Sequence, residues 1–161
     1  MSFASEVKKE LLSLDVDSCC KDAMVAGILQ GNSEIVLANL KVKLFIKSPL
    51  PSVIRYLTPV LKKKYGVQTQ TSYLEKTNIN KSRIYCLEIL EKSKEIVDDY
   101  HLFPFDTITI DDPLFQDECC KVAFIRGLFI SKGSINDPRK SNYHLEIVIK
   151  KPEIAVMVQQ I

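Results

Sequence analysis

No apolar run in this sequence approaches the length of a membrane span, and the N-terminus lacks the apolar region and cleavage site of a signal peptide. The expected compartment is therefore the cytoplasm, with no membrane partner. The chain also lacks an excess of either charge: 22 basic side chains stand against 20 acidic ones, for a formal net charge of +2. Bulk charge announces no nucleic-acid partner, and any basic face depends on how the lysines are distributed. The five cysteines are an odd number in two adjacent pairs and one single residue, without secretory context, so they do not read as a disulfide framework. Cys-Cys lacks the two-residue spacer of a zinc knuckle, and only His101 and His144 are on hand to complete a site. The cysteines read as reduced, mostly buried structural residues, and neither metal nor cofactor is expected.

What the sequence does have is 161 residues, 46% of them hydrophobic and 26% charged, which suits one globular domain with a proper core. It also has an internal repeat. The stretch from Cys19-Cys20-Lys21 to Asn32 recurs 100 positions later, from Cys119-Cys120-Lys121 to Lys132, with Asp17/Asp117, Ala23/Ala123, Gly27/Gly127 and Ile35/Ile135 also matched. A second register, shifted by 103, lays Asn39, Ile46, Lys47 and Pro49 on Asn142, Ile149, Lys150 and Pro152. The repeated unit is helix, loop, strand, Pro, helix, and such a repeat constrains architecture more than local propensity does.

Ser2 is placed to cap a helix with the apolar stripe Phe3, Val7, Leu11, Leu14 and with Glu6 near its positive end. Asp17 or Ser18 caps the first repeat helix, which runs to about Gly31. From Asn39 to Lys47 the sequence alternates, Leu40, Val42, Leu44 and Ile46 on one face against Lys41, Lys43, Phe45 and Lys47 on the other. This predicts a half-buried strand with a cationic outer face. Ser48-Pro49-Leu50-Pro51 opens a helix to Lys64 with Gly66 beyond its end, and Pro59 within it predicts a kink or an early break. Residues 67–76 and 82–90 read as a hairpin around Thr77–Lys81, followed by a helix over 93–100. Asp111-Asp112-Pro113 marks the boundary between half-units. The second unit repeats the order with a helix to Ser131, a turn at Asn136-Asp137-Pro138, a strand from Tyr143 to Lys150 and a helix from Glu153. It stops before any second hairpin, which predicts a longer natural chain. The expected organisation is an N-terminal helix over 1–16, a first half-unit over 17–112 and an incomplete second over 113–161.

Small residues recur at every fourth position of each repeated helix: Ala23, Gly27, Gly31 and Ala123, Gly127, Ser131. A line without bulky side chains lets two backbones approach, so these residues are the expected helix–helix interface. The half-sheets are then expected side by side, with their lysine faces pointing the same way.

Residues 25–33 and 125–133 resemble degenerate copies of the LAGLIDADG motif of homing endonucleases. Met1–Leu11, both Cys-Cys pairs, Gly133–Pro138 and Ser141–Val148 resemble, more closely and over essentially the whole chain, the N-terminal domain of the WhiA family. The resemblance implies an α+β, LAGLIDADG homing-endonuclease-like fold of two pseudo-symmetric αββαββ-type half-units packed through their first helices, the second incomplete. It also implies a bacterial regulator of sporulation-linked transcription, cell division and chromosome segregation, with a helix-turn-helix domain C-terminal to the residues present.

In the endonuclease motif the eighth residue is an acid that helps hold a divalent metal for phosphodiester hydrolysis. Here those positions are Asn32 and Lys132, an amide and an ammonium, so no catalytic residue and no nuclease activity is expected. Glu34 and Asp137 are the nearest acids. The family's concave sheet implies a saddle for double-stranded DNA, and the balanced net charge predicts weak, salt-sensitive binding by this domain, in the cytoplasm or at the nucleoid. The candidate contacts are Lys41, Lys43, Lys47, Lys76, Lys81, Arg83, Lys132, Arg139, Lys140, His144 and Lys150. Lysines at alternate positions suit phosphates more than bases. Competing readings are a protein-interaction scaffold, with DNA binding confined to the C-terminal domain, and an active metal-dependent endonuclease.

Overall fold

The computed structural model describes residues 2–76, 82–140 and 142–161. Six α-helices and six strands follow in the order α1 (Phe3–Leu12), α2 (Ser18–Asn32), β1 (Ser33–Ala38), β2 (Lys41–Ser48), α3 (Pro51–Tyr65), β3 (Thr69–Glu75), β4 (Arg83–Ile89), α4 (Ser93–Asp99), α5 (Glu118–Lys132), β5 (Gly133–Ile135), β6 (Leu145–Ile147) and α6 (Pro152–Gln159), among the described residues. They form two compact units. One comprises Met1–Gly31 with Pro104–Ile161, the other Asn32–Phe103.

In the unit of residues 32–103, four antiparallel strands lie in the order β1-β2-β4-β3. Alternation in β2 sets the sheet's two faces. Leu44 and Ile46 are fully buried opposite Ile89 and Leu87 of β4, while Lys41 and Lys43 are exposed. Helices α3 and α4 pack on the buried face through Val53, Leu57, Leu61, Ile96 and Val97. Polar contacts tie the two helices: the Tyr65 hydroxyl donates to Asp99 Oδ2 at 2.7 Å and Lys64 Nζ to the Tyr100 hydroxyl at 3.1 Å. Burial, then the Asp99 contact, pushes the Tyr65 phenol well up.

Three local expectations are corrected. Residues 33–38, expected as loop, form strand β1 paired with β2 from Ser33↔Ile46 to Ala38↔Lys41. Asn39 and Leu40, expected in the strand, are instead its two-residue turn, at φ 52° and 62°. Such a turn needs positive φ at both central residues, matching the twist of the strands it joins. Helix α3 runs through Pro59 to the left-handed cap Gly66 without a break. Pro59 and Arg55, whose carbonyl loses its helical donor, both lie on the exposed side, where the missing bond costs least.

In the unit of residues 2–31 and 104–161, Ser2 caps α1, its Oγ accepting from the Ser5 amide at 3.1 Å, and the helix packs on α5. Phe115 meets Phe124 edge to face at 5.0 Å, and Ile154 and Met157 of α6 are buried. Strands β5 and β6 pair antiparallel over three residues each. The strand expected over 143–150 is thus cut to 145–147, with Tyr143, Leu145 and Val148 exposed.

Candidate nucleic-acid interface

Helices α2 and α5 carry the two copies of the repeat, and they lie parallel in matching register. A Cβ built on Gly27 would run into the Phe124 carbonyl and lie 2.7 Å from the Leu128 amide. One built on Gly127 would strike the Met24 carbonyl and lie 2.9 Å from Gly27 Cα. Four positions on, Gly31 meets the Ser131 side chain. Ala23 and Ala123 are fully buried. Backbone touches backbone here, so only glycine fits at 27 and 127. The middle of α2 is buried all round: Met24, Val25, Ala26, Ile28 and Leu29 have no exposed surface.

The two degenerate nuclease positions end these helices. Asn32 is buried, and neither atom of its side-chain amide has a hydrogen-bonding partner among the described residues. Lys132 is exposed in the last turn of α5, where an ammonium suits the negative helix end. Lys8 of α1 is its neighbour in charge and lies 5.8 Å from the Phe129 ring centre. Burial first, and then the charge of Lys132, lower the pKa of Lys8. The two nearest acids are both engaged. Glu34 is ion-paired with Lys47, and Asp137 accepts from Arg139 Nε at 3.0 Å and from its terminal nitrogen at 2.9 Å. The Arg139 guanidinium holds the Asp137 carboxyl below its ordinary range.

The cationic candidates divide by partner. Lys47 pairs with Glu34, Arg83 with Glu75 at 3.2 Å, Arg139 with Asp137, and His144 contacts Glu146 at 3.3 Å. Lys41, Lys43, Lys76, Lys132, Lys140 and Lys150 are exposed, with no carboxylate at ion-pairing distance among the described residues. Lys41 and Lys43 lie on the same face of β2, on the side away from α3 and α4. His144 and Lys150 flank β6 rather than lying within it. Lys81 and the turn around it lie outside the described residues.

Sequence reasoning missed the convergence of the cysteines. Cys19, Cys20, Cys119 and Cys120 bring their Sγ atoms within 4.8 Å of one another at the N-terminal ends of α2 and α5. Spacing within either segment gives no hint of this. The signal was the repeat, which places both pairs at the same height on two helices expected to touch.

The family described as the WhiA N-terminal LAGLIDADG-like domain matches residues 18–103, and the WhiA LAGLIDADG-like domain matches residues 121–161. The chain belongs to the WhiA family. Proteins named probable cell division protein WhiA, from Bacillus cereus and Bacillus anthracis, are 35% identical to it over 150 residues, covering 91% of this chain and 48% of theirs. The chain thus spans about half the length of the curated WhiA relatives it matches.

The fold is likewise that of WhiA. The crystal structure of full-length DUF199/WhiA from Thermatoga maritima superposes with a TM-score of 0.67 at 21% identity, over 99% of this chain and 49% of that one. The N-terminal LAGLIDADG domain of DUF199/WhiA gives the same score, with 72% of that chain covered. A variant of I-DmoI, in complex with its target DNA and in the presence of 2 mM Mn, superposes at 0.52 with 14% identity, over 88% of this chain and 73% of that one. The WhiA fold of this chain is therefore α+β and homing-endonuclease-like. Among the described residues no helix is long and apolar enough to cross a membrane.

Proposed function

We propose that this WhiA-family domain binds double-stranded DNA without cleaving it and serves cell division, chromosome segregation or transcription control. In this reading the chain comprises the N-terminal helix and two half-units meeting near Asp112, and a C-terminal helix-turn-helix in the longer protein supplies most of the sequence readout. The observation that carries DNA binding is the pair Lys41 and Lys43. Both are exposed at alternate positions of one sheet face, and neither has a carboxylate partner among the described residues. An ammonium in that state gains by replacing a phosphate's condensed counterions, and each phosphate so neutralised adds about 0.9 to the salt slope. Lys132, beside Lys8, is suited to a phosphate in the same way.

Against hydrolysis stand the chemistry of positions 32 and 132 and the engagement of the two nearest acids. A metal at a scissile phosphate needs hard oxygen ligands, and here the helix ends offer an amide and an ammonium. Glu34 and Asp137 are each held by a cation of their own unit.

The test is a gel shift with a short duplex at low salt. The expected result is a shift that weakens steeply with salt and is lost in Lys41→Glu/Lys43→Glu, with no nicking of supercoiled plasmid in magnesium or manganese. A second reading, a protein-interaction scaffold, is favoured by Leu37 and Leu40 at the β1–β2 turn, which are 72% and 108% exposed. An absent shift, with binding recovered only in the longer natural protein, selects the scaffold. Metal-dependent nicking abolished by Glu34→Gln selects the endonuclease.

A further inference from the structure

Four thiols open the two helices that carry the repeat: Cys19 and Cys20 stand in the first turn of α2, Cys119 and Cys120 in the first turn of α5. We propose that these four cysteines bind one thiophilic divalent cation, with zinc the expected ion, which clamps the leading ends of α2 and α5 together. The proposal is independent of the DNA-binding reading.

A tetrahedral zinc site holds sulfur at about 2.3 Å from the metal, which separates the sulfurs by about 3.8 Å. All four Sγ atoms already lie within 4.8 Å of one another, so no separation need contract by more than about an ångström.

The thiols are also poorly served by one another. Cys20 and Cys120 are buried, and an S–H is a weak donor and a weak acceptor. Without a cation four thiolates do not coexist at this distance. With one, the balance is M²⁺ plus four R–SH giving [M(SR)₄]²⁻ plus four protons released to solvent, and nothing is oxidised or reduced. The residual charge of minus two faces the positive ends of two helices, each worth about half a positive charge.

The ligand set selects the ion and its role. Four sulfurs and no oxygen favour zinc, or cobalt and cadmium as its probes, over magnesium, calcium and manganese. Four protein ligands leave no open coordination position, the signature of a structural site. At 1.5 Å per residue, Cys120 is about 18 Å along α5 from Lys132, so this ion is remote from the position where the nuclease metal would sit.

An inter-helix disulfide is the competing fate of these sulfurs. It would bring one pair to about 2.05 Å and leave the other two thiols free. Two adjacent cysteines on a helix point about 100° apart, which disfavours a bridge within either pair.

The test uses the full 161-residue chain, reduced and freed of metal, titrated with cobalt(II). The expected result is one cobalt per chain, with ligand-field bands of a tetrahedral tetrathiolate site and thiolate charge-transfer absorption. Zinc displaces the cobalt, magnesium does not, and the zinc-loaded chain melts at higher temperature. Cys119→Ser is the informative variant because Cys119 is exposed and its loss leaves the core intact. It should shift the bands and weaken binding by more than about a hundredfold, with an unchanged circular dichroism spectrum of the metal-free chain. Cobalt that keeps the weak spectrum of the hydrated ion overturns the proposal. So does a cobalt spectrum indifferent to Cys119→Ser, or a chain isolated without reductant that carries an inter-helix disulfide and no zinc.

Discussion

The hydroxyl of Ser131 donates to the carbonyl oxygen of Gly27 at 3.3 Å, linking the two copies of the repeat across 104 residues of sequence. The same hydroxyl is 3.0 Å from the Leu128 carbonyl of its own helix. Position 131 is thus where the second copy departs from glycine yet stays small, and the departure adds a bond.

Gly27→Ala should destabilise the domain by about 1–3 kcal/mol, because its new methyl meets the backbone of α5, which cannot yield cheaply. Gly31→Ala meets the Ser131 side chain and, at 3.0 Å, the flexible Lys132 side chain, so the double change Gly31→Ala/Ser131→Gly should recover much of the loss. Gly66→Ala meets nothing within 4 Å and should cost only the strain of its φ of 65°, about 1–2 kcal/mol. Urea midpoints of the four chains rank these effects.

Burial and Lys132 lower the pKa of Lys8, so over the alkaline range the unfolded chain holds a proton that the folded chain has released. Stability contributed by this group therefore rises with pH from below the folded pKa up to the unfolded one. Lys132→Met should raise the Lys8 pKa, stabilise the domain near neutral pH and flatten that rise, while leaving the part due to burial. Carbon-13 titration of the Lys8 side chain, alongside urea unfolding at neutral and alkaline pH, checks both halves.

Glu34 holds Lys47, and its hydrogen bond and charge raise the lysine's pKa. Glu34→Gln should release Lys47 to a phosphate and steepen the slope of log affinity against log salt by about 0.9. Fluorescence anisotropy across a salt series measures it, and an unchanged slope places Lys47 outside the DNA contact.

Asn32→Asp should not create a nuclease, since it supplies one carboxylate where the chemistry needs a pair. It should destabilise the fold increasingly as pH rises above about 4, because burial without a donor holds the folded carboxyl protonated while the unfolded one ionises. Asn32→Leu should come out neutral or stabilising, as it removes a buried amide that has no partner among the described residues.

The parts of this fold that were legible in the sequence are those written as periodicity. Alternation along Lys41–Lys47 gave the strand and its faces, and the four-residue spacing of Ala23, Gly27 and Gly31 gave the contact with α5. Strand β1 was not legible because Ile35-Val36-Leu37-Ala38 is an apolar run without alternation, and its turn is Asn39-Leu40 rather than a glycine-containing pair. A leucine at positive φ announces nothing locally, since pairing of the flanking strands imposes it. The thiol cluster was hidden for a different reason. Spacing rules for metal ligands look within one segment, while here each segment contributes half.

Residues 32–103, which fold into a unit of their own, are interposed between α2 and the partner it packs against. At a ribosome's pace of about 5–20 residues per second, the first copy of the helix leaves the tunnel roughly 5–20 s before the second exists to receive it. Through that interval Met24, Val25, Ile28 and Leu29, all sealed in the finished molecule, stand open to solvent and to any chaperone that binds apolar segments. Early closure of the intervening sheet shortens the wait in another sense, since it gathers a long tether into a compact spacer and lowers the entropy lost when the two copies finally dock.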